Sequence, residues 1–129
     1  MNSIINIRRV FRFIPVPVVA SPWLPGRIVG LSLGIAVIVR NDYADDEPTV
    51  VHELKHCEQF FRTGGLIHFV RYFCSRTYRL NSEVEAFKAE LESCDDQVRG
   101  TRIEESAAAL SYGYGIGLSA DQCRALLVA

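Results

Sequence analysis

The sequence predicts an α+β fold, with a small antiparallel β element within about residues 10–40 followed by about five helices. Three observations carry that expectation. Large and small residues alternate from 28 to 39, apolar residues recur at helical spacing from residue 50 onward, and serine, threonine and glycine punctuate the second half into helix-length pieces. The 129 residues, 49% of them hydrophobic, suffice for one core and hence one domain, residues 1–129, with 1–22 as a candidate extended arm.

Residues 10–20 alternate around Pro15 and Pro17, which suggests an edge strand or an arm, and Pro22, Pro25 and Gly26 make a turn. In residues 28–39, Val29, Leu31, Leu33, Ile35, Val37 and Val39 are large, while Gly30, Ser32, Gly34 and Ala36 between them are small. That is the period of one β-strand, or of two joined at a glycine. The large face is expected to fill a core. The small face is expected either to pack tightly under a helix or to let a substrate approach the backbone.

Asp46-Glu47-Pro48 opens a helix over about residues 48–62, because acids suit the positive N-terminal end and proline fits the first turn. Val50, Val51, Leu54, Cys57, Phe60 and Phe61 give it an apolar stripe, and Gly64-Gly65 stop it. A second helix is expected over 66–79. A third, capped by Asn81 or Ser82, is expected to run to about Arg99 and end at Gly100. Thr101 with Glu104 predicts the start of a fourth, and Ser119 with Gln122 that of a short fifth.

The first of these helices carries HELKH, His52 to His56. Histidines at i and i+4 project from one face, one turn apart, and two neutral imidazoles so placed can hold one tetrahedral zinc ion. Glu53 lies beside them, badly placed for a third ligand but well placed to take a proton from water and pass it to a leaving amine. The spacing therefore assigns His52 and His56 as metal ligands and Glu53 as catalytic base. The competing reading puts His52 in the core and the other two in solvent. A third ligand is sought in NSEVEAF, residues 81–87, where Glu83 and Glu85 compete. With Ser82 as a helix cap, Glu85 would stand where a capping box wants glutamate, which favours Glu83 as the ligand.

HELKH followed by NSEVEAF resembles the gluzincin metallopeptidases, most closely the small single-domain members called minigluzincins. The preceding LPGRIVGLSLGIAVIVR, as a strand pair leading into the helix, is similar too. The resemblance covers roughly residues 24–92 and extends more loosely beyond. It implies that His52, His56 and Glu83 bind Zn2+ and that Glu53 is the general base. It also implies that the strand around Gly34, Ala36 and Ile38 is the edge on which an extended peptide or protein substrate pairs. One departure stands out. Larger gluzincins place an aspartate four residues after the ligand glutamate to orient a histidine, and here that position is Phe87. Either Glu85, a backbone carbonyl or nothing takes its place. His68, Tyr78, Tyr112 and Tyr114 are candidates to stabilise an oxyanion by chemistry alone, against a plain reading of core packing or exposure.

The same ligands also fit a protein of another class, a non-catalytic zinc-stabilised structural or adaptor subunit of a larger assembly such as a virus particle. The missing aspartate, the short chain and the arm motivate it. Net charge is −1, so nothing points to nucleic acid. Residues 59–82 carry Arg62, Arg71, Arg76 and Arg79 without a single acid, which reads as a solvated basic face; the alternative is a docking surface for an acidic partner or a membrane surface. Cys57, Cys74, Cys94 and Cys123 form no C-x-x-C pair and read as reduced thiols, hence a cytoplasmic protein or part of a larger particle. Cys74 or Cys94 could join the metal. Residues 28–39 are too few to span a bilayer, and prolines interrupt the apolar start, so neither a transmembrane segment nor a secretory signal is expected.

Overall fold

The computed structural model describes residues 3–129 as an α+β fold: a four-stranded mixed sheet followed by five helices. Strands β1 (Ser3–Val10) and β2 (Ile14–Ser21) form a hairpin, and β3 (Gly30–Ser32) and β4 (Val37–Arg40) form another. The order is β1-β2-β4-β3, with β2 and β4 parallel and the other pairs antiparallel. Residues 14–21 are thus an interior strand rather than an edge or a free arm. Prolines survive there because β4 pairs only with Val18–Ser21, leaving Pro15 and Pro17 beyond its reach. The β1–β2 turn places Phe11 and Arg12 at φ 52° and 70°, a left-handed conformation that a turn between antiparallel strands demands and that side chains resist.

The 28–39 segment is two strands joined at a glycine. Gly34 has φ 83°, and Leu33 N donates to Ala36 O across the turn at 2.8 Å. The large residues divide differently from expectation. Val37 and Val39 are fully buried, but Leu31, Leu33 and Ile35 face solvent. The small residues of β3 and its turn lie against the following helix instead, where a larger side chain would not fit.

That helix, α1 (Glu47–Arg62), starts as expected. Asp46 caps it by accepting from Thr49 N at 3.1 Å, and Pro48 sits in the first turn. Beyond it the boundaries shift. Helix α2 is short (Leu66–Cys74), and α3 (Arg76–Glu92) is capped by Ser75, which accepts from Tyr78 N at 3.1 Å. Asn81 and Ser82 therefore lie inside α3 and cap nothing. Helix α4 (Asp96–Gly113) runs through Gly100, Thr101 and Glu104, so Gly100 is not a terminator and Thr101 is not a cap. The capping box of Ser119 and Gln122 does open α5 (Ala120–Val128).

Two apolar clusters flank α1 and α3. Val10, Val16, Val18, Val37 and Val39 of the sheet pack with Val50 and Cys57 of α1. On the far side, Phe87 and Leu91 of α3 pack with Ala107 and Leu110 of α4, and with Cys123 and Leu127 of α5. The buried polar residues lie between the clusters, where α1 meets α3.

Candidate metal centre

Helix α1 turns its apolar stripe to the sheet, so the opposite stripe, His52, His56 and Gln59, faces α3. Helix α3 answers with Glu83. One ligating atom from each of His52, His56 and Glu83 lies within 4.8 Å of the others, and all three residues are buried, Glu83 at 1% exposure, His52 at 5% and His56 at 8%. Glu83 Oε1 is 3.2 Å from His52 Nε2, Glu83 Oε2 is 3.1 Å from His56 Nε2, and the two Nε2 atoms are 3.3 Å apart. Ligand atoms around a tetrahedral zinc, each about 2.0–2.1 Å from the metal, stand about 3.3 Å from one another.

The donor set is aimed as a metal requires. Gln59 Nε2 donates to Ser82 O at 3.0 Å, which turns Gln59 Oε1 toward His56 Nδ1 at 2.9 Å. The proton of His56 therefore sits on Nδ1, and the lone pair of Nε2 faces inward. His52 Nδ1 lies 3.0 Å from Glu90 Oε1, in ion-pair contact but off the alignment of a hydrogen bond, and among the described residues it has no other partner. That carboxylate places a proton on Nδ1 too. Two imidazole lone pairs and a carboxylate then converge on one buried point, an arrangement that is unfavourable without a cation or shared protons.

The electrostatics agree. Burial disfavours a charged His52, but Glu83 and Glu90 outweigh it and push the metal-free imidazole up to about 10. His56 rises for the same reason, burial being overcome by the Glu83 charge. Burial works against the Glu83 carboxylate, yet the two histidines hold it far below the usual range. Glu53 moves the other way, raised chiefly by burial, with the Glu83 and Glu90 charges adding to it and the histidines opposing.

Glu53 lies on the sheet side of the cluster, against β3. A Cβ on Gly30 would stand 2.9 Å from Glu53 Cγ and 3.0 Å from its Oε1, so only glycine leaves that carboxyl its place. One turn on, Ser32 Oγ is 3.2 Å from Cys57 Sγ, and a Cβ on Gly34 would fall 2.5 Å from the Phe60 ring. The small stripe is thus the bed of α1. Gly34 and Ala36 are turn residues, and Ile38 on β4 pairs with both Val19 and Leu31. The free edge on this side belongs to β3 rather than to residues 34–38.

Glu85 stays outside the cluster, bound by Arg62 at 3.1 Å on the surface. The capping argument for preferring Glu83 has no basis in α3, but the preference itself coincides with the geometry. Neither Cys74 nor Cys94 belongs to the cluster, and all four cysteines are free. Among the aromatic candidates, His68 Nδ1 and Tyr78 Oη pair with each other at 2.8 Å, and Tyr112 is 87% exposed. Tyr114 is pushed up by burial and by the Glu83 charge beside it.

Sequence reasoning missed four residues. Glu90 stands 3.0 Å behind His52 Nδ1, and Phe87 lays its ring against His52, with centroids 4.5 Å apart. Gln59 orients His56, and Tyr72 of α2 donates to Glu83 Oε2 at 2.6 Å. Arg102 of α4 holds Glu90 Oε2 at 2.8 Å and the α1 cap Asp46 at 2.8 Å. Helical spacing was a usable signal for two of them: Glu90 follows Glu83 by two turns and Gln59 follows His56 by one. Compared with models of known protein families, with curated proteins and with solved structures, the chain has no match.

Proposed function

We propose that this chain is a zinc-dependent peptidase of the gluzincin kind. One observation carries the reading. Two buried histidines and a buried glutamate converge with their lone pairs inward, and a second carboxyl, Glu53, sits beside them on the side of a free strand edge. His52, His56 and Glu83 would hold the zinc ion, which would supply Lewis acidity toward a carbonyl and a water.

The protein's own groups do the rest. Glu53 takes the proton as water adds to the scissile carbonyl and returns it to the amine as the C–N bond breaks. Burial raises its carboxyl above the ordinary value, with the two histidines opposing. Tyr72, whose phenol is pushed well up by burial and by Glu83, stays protonated and fixes the Glu83 carboxylate. The β3 edge beside Glu53 suits an extended peptide or protein substrate, which would add as a further strand.

The second reading, a structural zinc that pins α1 to α3 in a subunit of an assembly, is favoured by the burial of all three ligands. One experiment separates the two. Chain purified without chelator is assayed for zinc and for cleavage of a mixed peptide library, beside Glu53→Gln. The peptidase reading expects zinc in both and cleavage by the unsubstituted chain alone. Equal cleavage by both, or a folded chain without metal, overturns it. Zinc in both without cleavage, together with unfolding on chelation, selects the structural reading.

A further inference from the structure

We infer that α2 is a membrane-contact helix that lies in the plane of an anionic lipid surface. The inference is independent of the metal centre.

Helix α2 is amphipathic with its apolar side turned outward. His68 is buried, and Tyr72 reaches Glu83, so these residues define the inner face. Leu66, Ile67, Val70 and Phe73 are 75%, 52%, 62% and 74% exposed, at the spacing of one helical stripe. Leu33 and Ile35 of the β3–β4 turn extend the patch, being 47% and 62% exposed. Phe60 joins the two parts: Gly34 sits over its ring, and a Cβ on Gly65, just before α2, would stand 3.7 Å from the ring's tip. Six large apolar side chains on one side of so small a protein form a patch of the kind that marks an interaction surface.

The charge around the patch selects the occupant. No acid occurs from residue 59 to 82, while Arg62, Arg71, Arg76 and Arg79 do. Arg62 and Arg79 are engaged, with Glu85 and with the Tyr72 and Tyr114 carbonyls. Arg71 and Arg76 are exposed, and among the described residues neither pairs with an acid. An exposed apolar stripe with unpaired arginines beside it complements an anionic bilayer surface. The side chains enter the acyl boundary while the guanidinium groups stay at anionic headgroups. Nine residues of helix span about 14 Å and cannot cross a bilayer. No helix of the described residues is long and apolar enough to do so. The helix therefore lies on the surface.

The test is co-sedimentation of the full chain with phosphatidylcholine vesicles, with and without phosphatidylglycerol. Three proteins are compared: the unsubstituted chain, Val70→Asp/Phe73→Asp and Arg71→Ala/Arg76→Ala. All four positions are exposed, so far-UV circular dichroism should be alike for all three. The unsubstituted chain should sediment with the anionic vesicles and little with the neutral ones. The aspartate pair should abolish binding, and removing both arginines should weaken partition to anionic vesicles about thirtyfold, at roughly fivefold per cation close to the surface. Failure to sediment with either vesicle, or equal sedimentation with both, overturns the inference. So does self-association in sedimentation velocity that Val70→Asp/Phe73→Asp abolishes without any vesicle binding, since the occupant would then be a second copy of the chain.

Discussion

Glu90 Oε1 lies 3.0 Å from His52 Nδ1, and Arg102 Nε holds the other oxygen of Glu90 at 2.8 Å. Helix α4 thereby reaches the His52–His56–Glu83 cluster through two side chains, and the same arginine binds the cap of α1. The arrangement fixes the ring of His52 from behind. Glu90→Gln keeps the shape and removes the charge. It should weaken zinc binding by about 10–100-fold, the usual effect of losing a group that orients a histidine ligand. Competition with a chromophoric chelator measures it, and an unchanged affinity would mean that Glu90 does not set the ring.

The cluster of His52, His56 and Glu83 was legible in the sequence because it lies within two helices, where spacing alone decides which residues share a face. His52 and His56 are one turn apart, and Glu83 opens a stripe that continues through Phe87 and Glu90. What the sequence hid is tertiary. Arg102 is one of fourteen basic residues, and only the packing of α4 brings it to Asp46 and Glu90. The β1–β2 hairpin was equally hidden, since Phe11 and Arg12 occupy turn positions where glycine or asparagine would have announced it. Capping signals misled where a helix ran on. Thr101 and Glu104 have the spacing of a box, yet the preceding turn of α4 already satisfies their backbone.

The glycines of the β3 hairpin should separate catalysis from folding. Gly30→Ala would put a methyl group 2.9 Å from Glu53 Cγ without any change of backbone region, so the carboxyl must move. Zinc content should persist while peptide cleavage falls. Gly34→Ala meets the Phe60 ring at 2.5 Å and also demands a left-handed conformation, at φ 83°. Overpacking of that kind costs roughly 1–3 kcal/mol, and the backbone adds about 1 more. Urea unfolding of both variants checks the contrast. Gly34→Ala should lose the stability and Gly30→Ala chiefly the activity.

Asp46 should give the fold an acid limit. Burial disfavours its charge, but the Arg102 guanidinium and the Thr49 hydroxyl and amide outweigh that and hold the carboxyl below its ordinary value. A depressed folded-state value means that the stabilisation is present above the unfolded carboxyl's pKa of about 4 and is lost as pH falls through the lower folded one. Asp46→Asn should be less stable than the unsubstituted chain near neutrality, by about 1–2 kcal/mol for a weakened cap and lost ion pair. The gap should close as pH falls through the lowered folded-state value, once both chains carry a neutral side chain there. A gap independent of pH across that range would show that the charge of Asp46 contributes nothing.

Metal removal should lower stability without unfolding the chain. The two apolar clusters lie on either side of the α1–α3 seam and need no ligand to form. The seam itself has other ties, with Gln59 Nε2 bound to Ser82 O at 3.0 Å and Arg62 bound to Glu85 at 3.1 Å. Within the centre, Glu83 and Glu90 share protons with His52 and His56 once the metal is gone, so the buried charges keep partners. A ligand that binds only the folded form adds RT ln(1 + [L]/Kd), about 4 kcal/mol at a thousandfold excess over Kd. Thermal melts followed by circular dichroism should therefore show a cooperative transition in chelator that moves upward with added zinc. Loss of the folded signal in chelator at room temperature would instead make the metal a structural element, and the peptidase reading would give way to the pinning one.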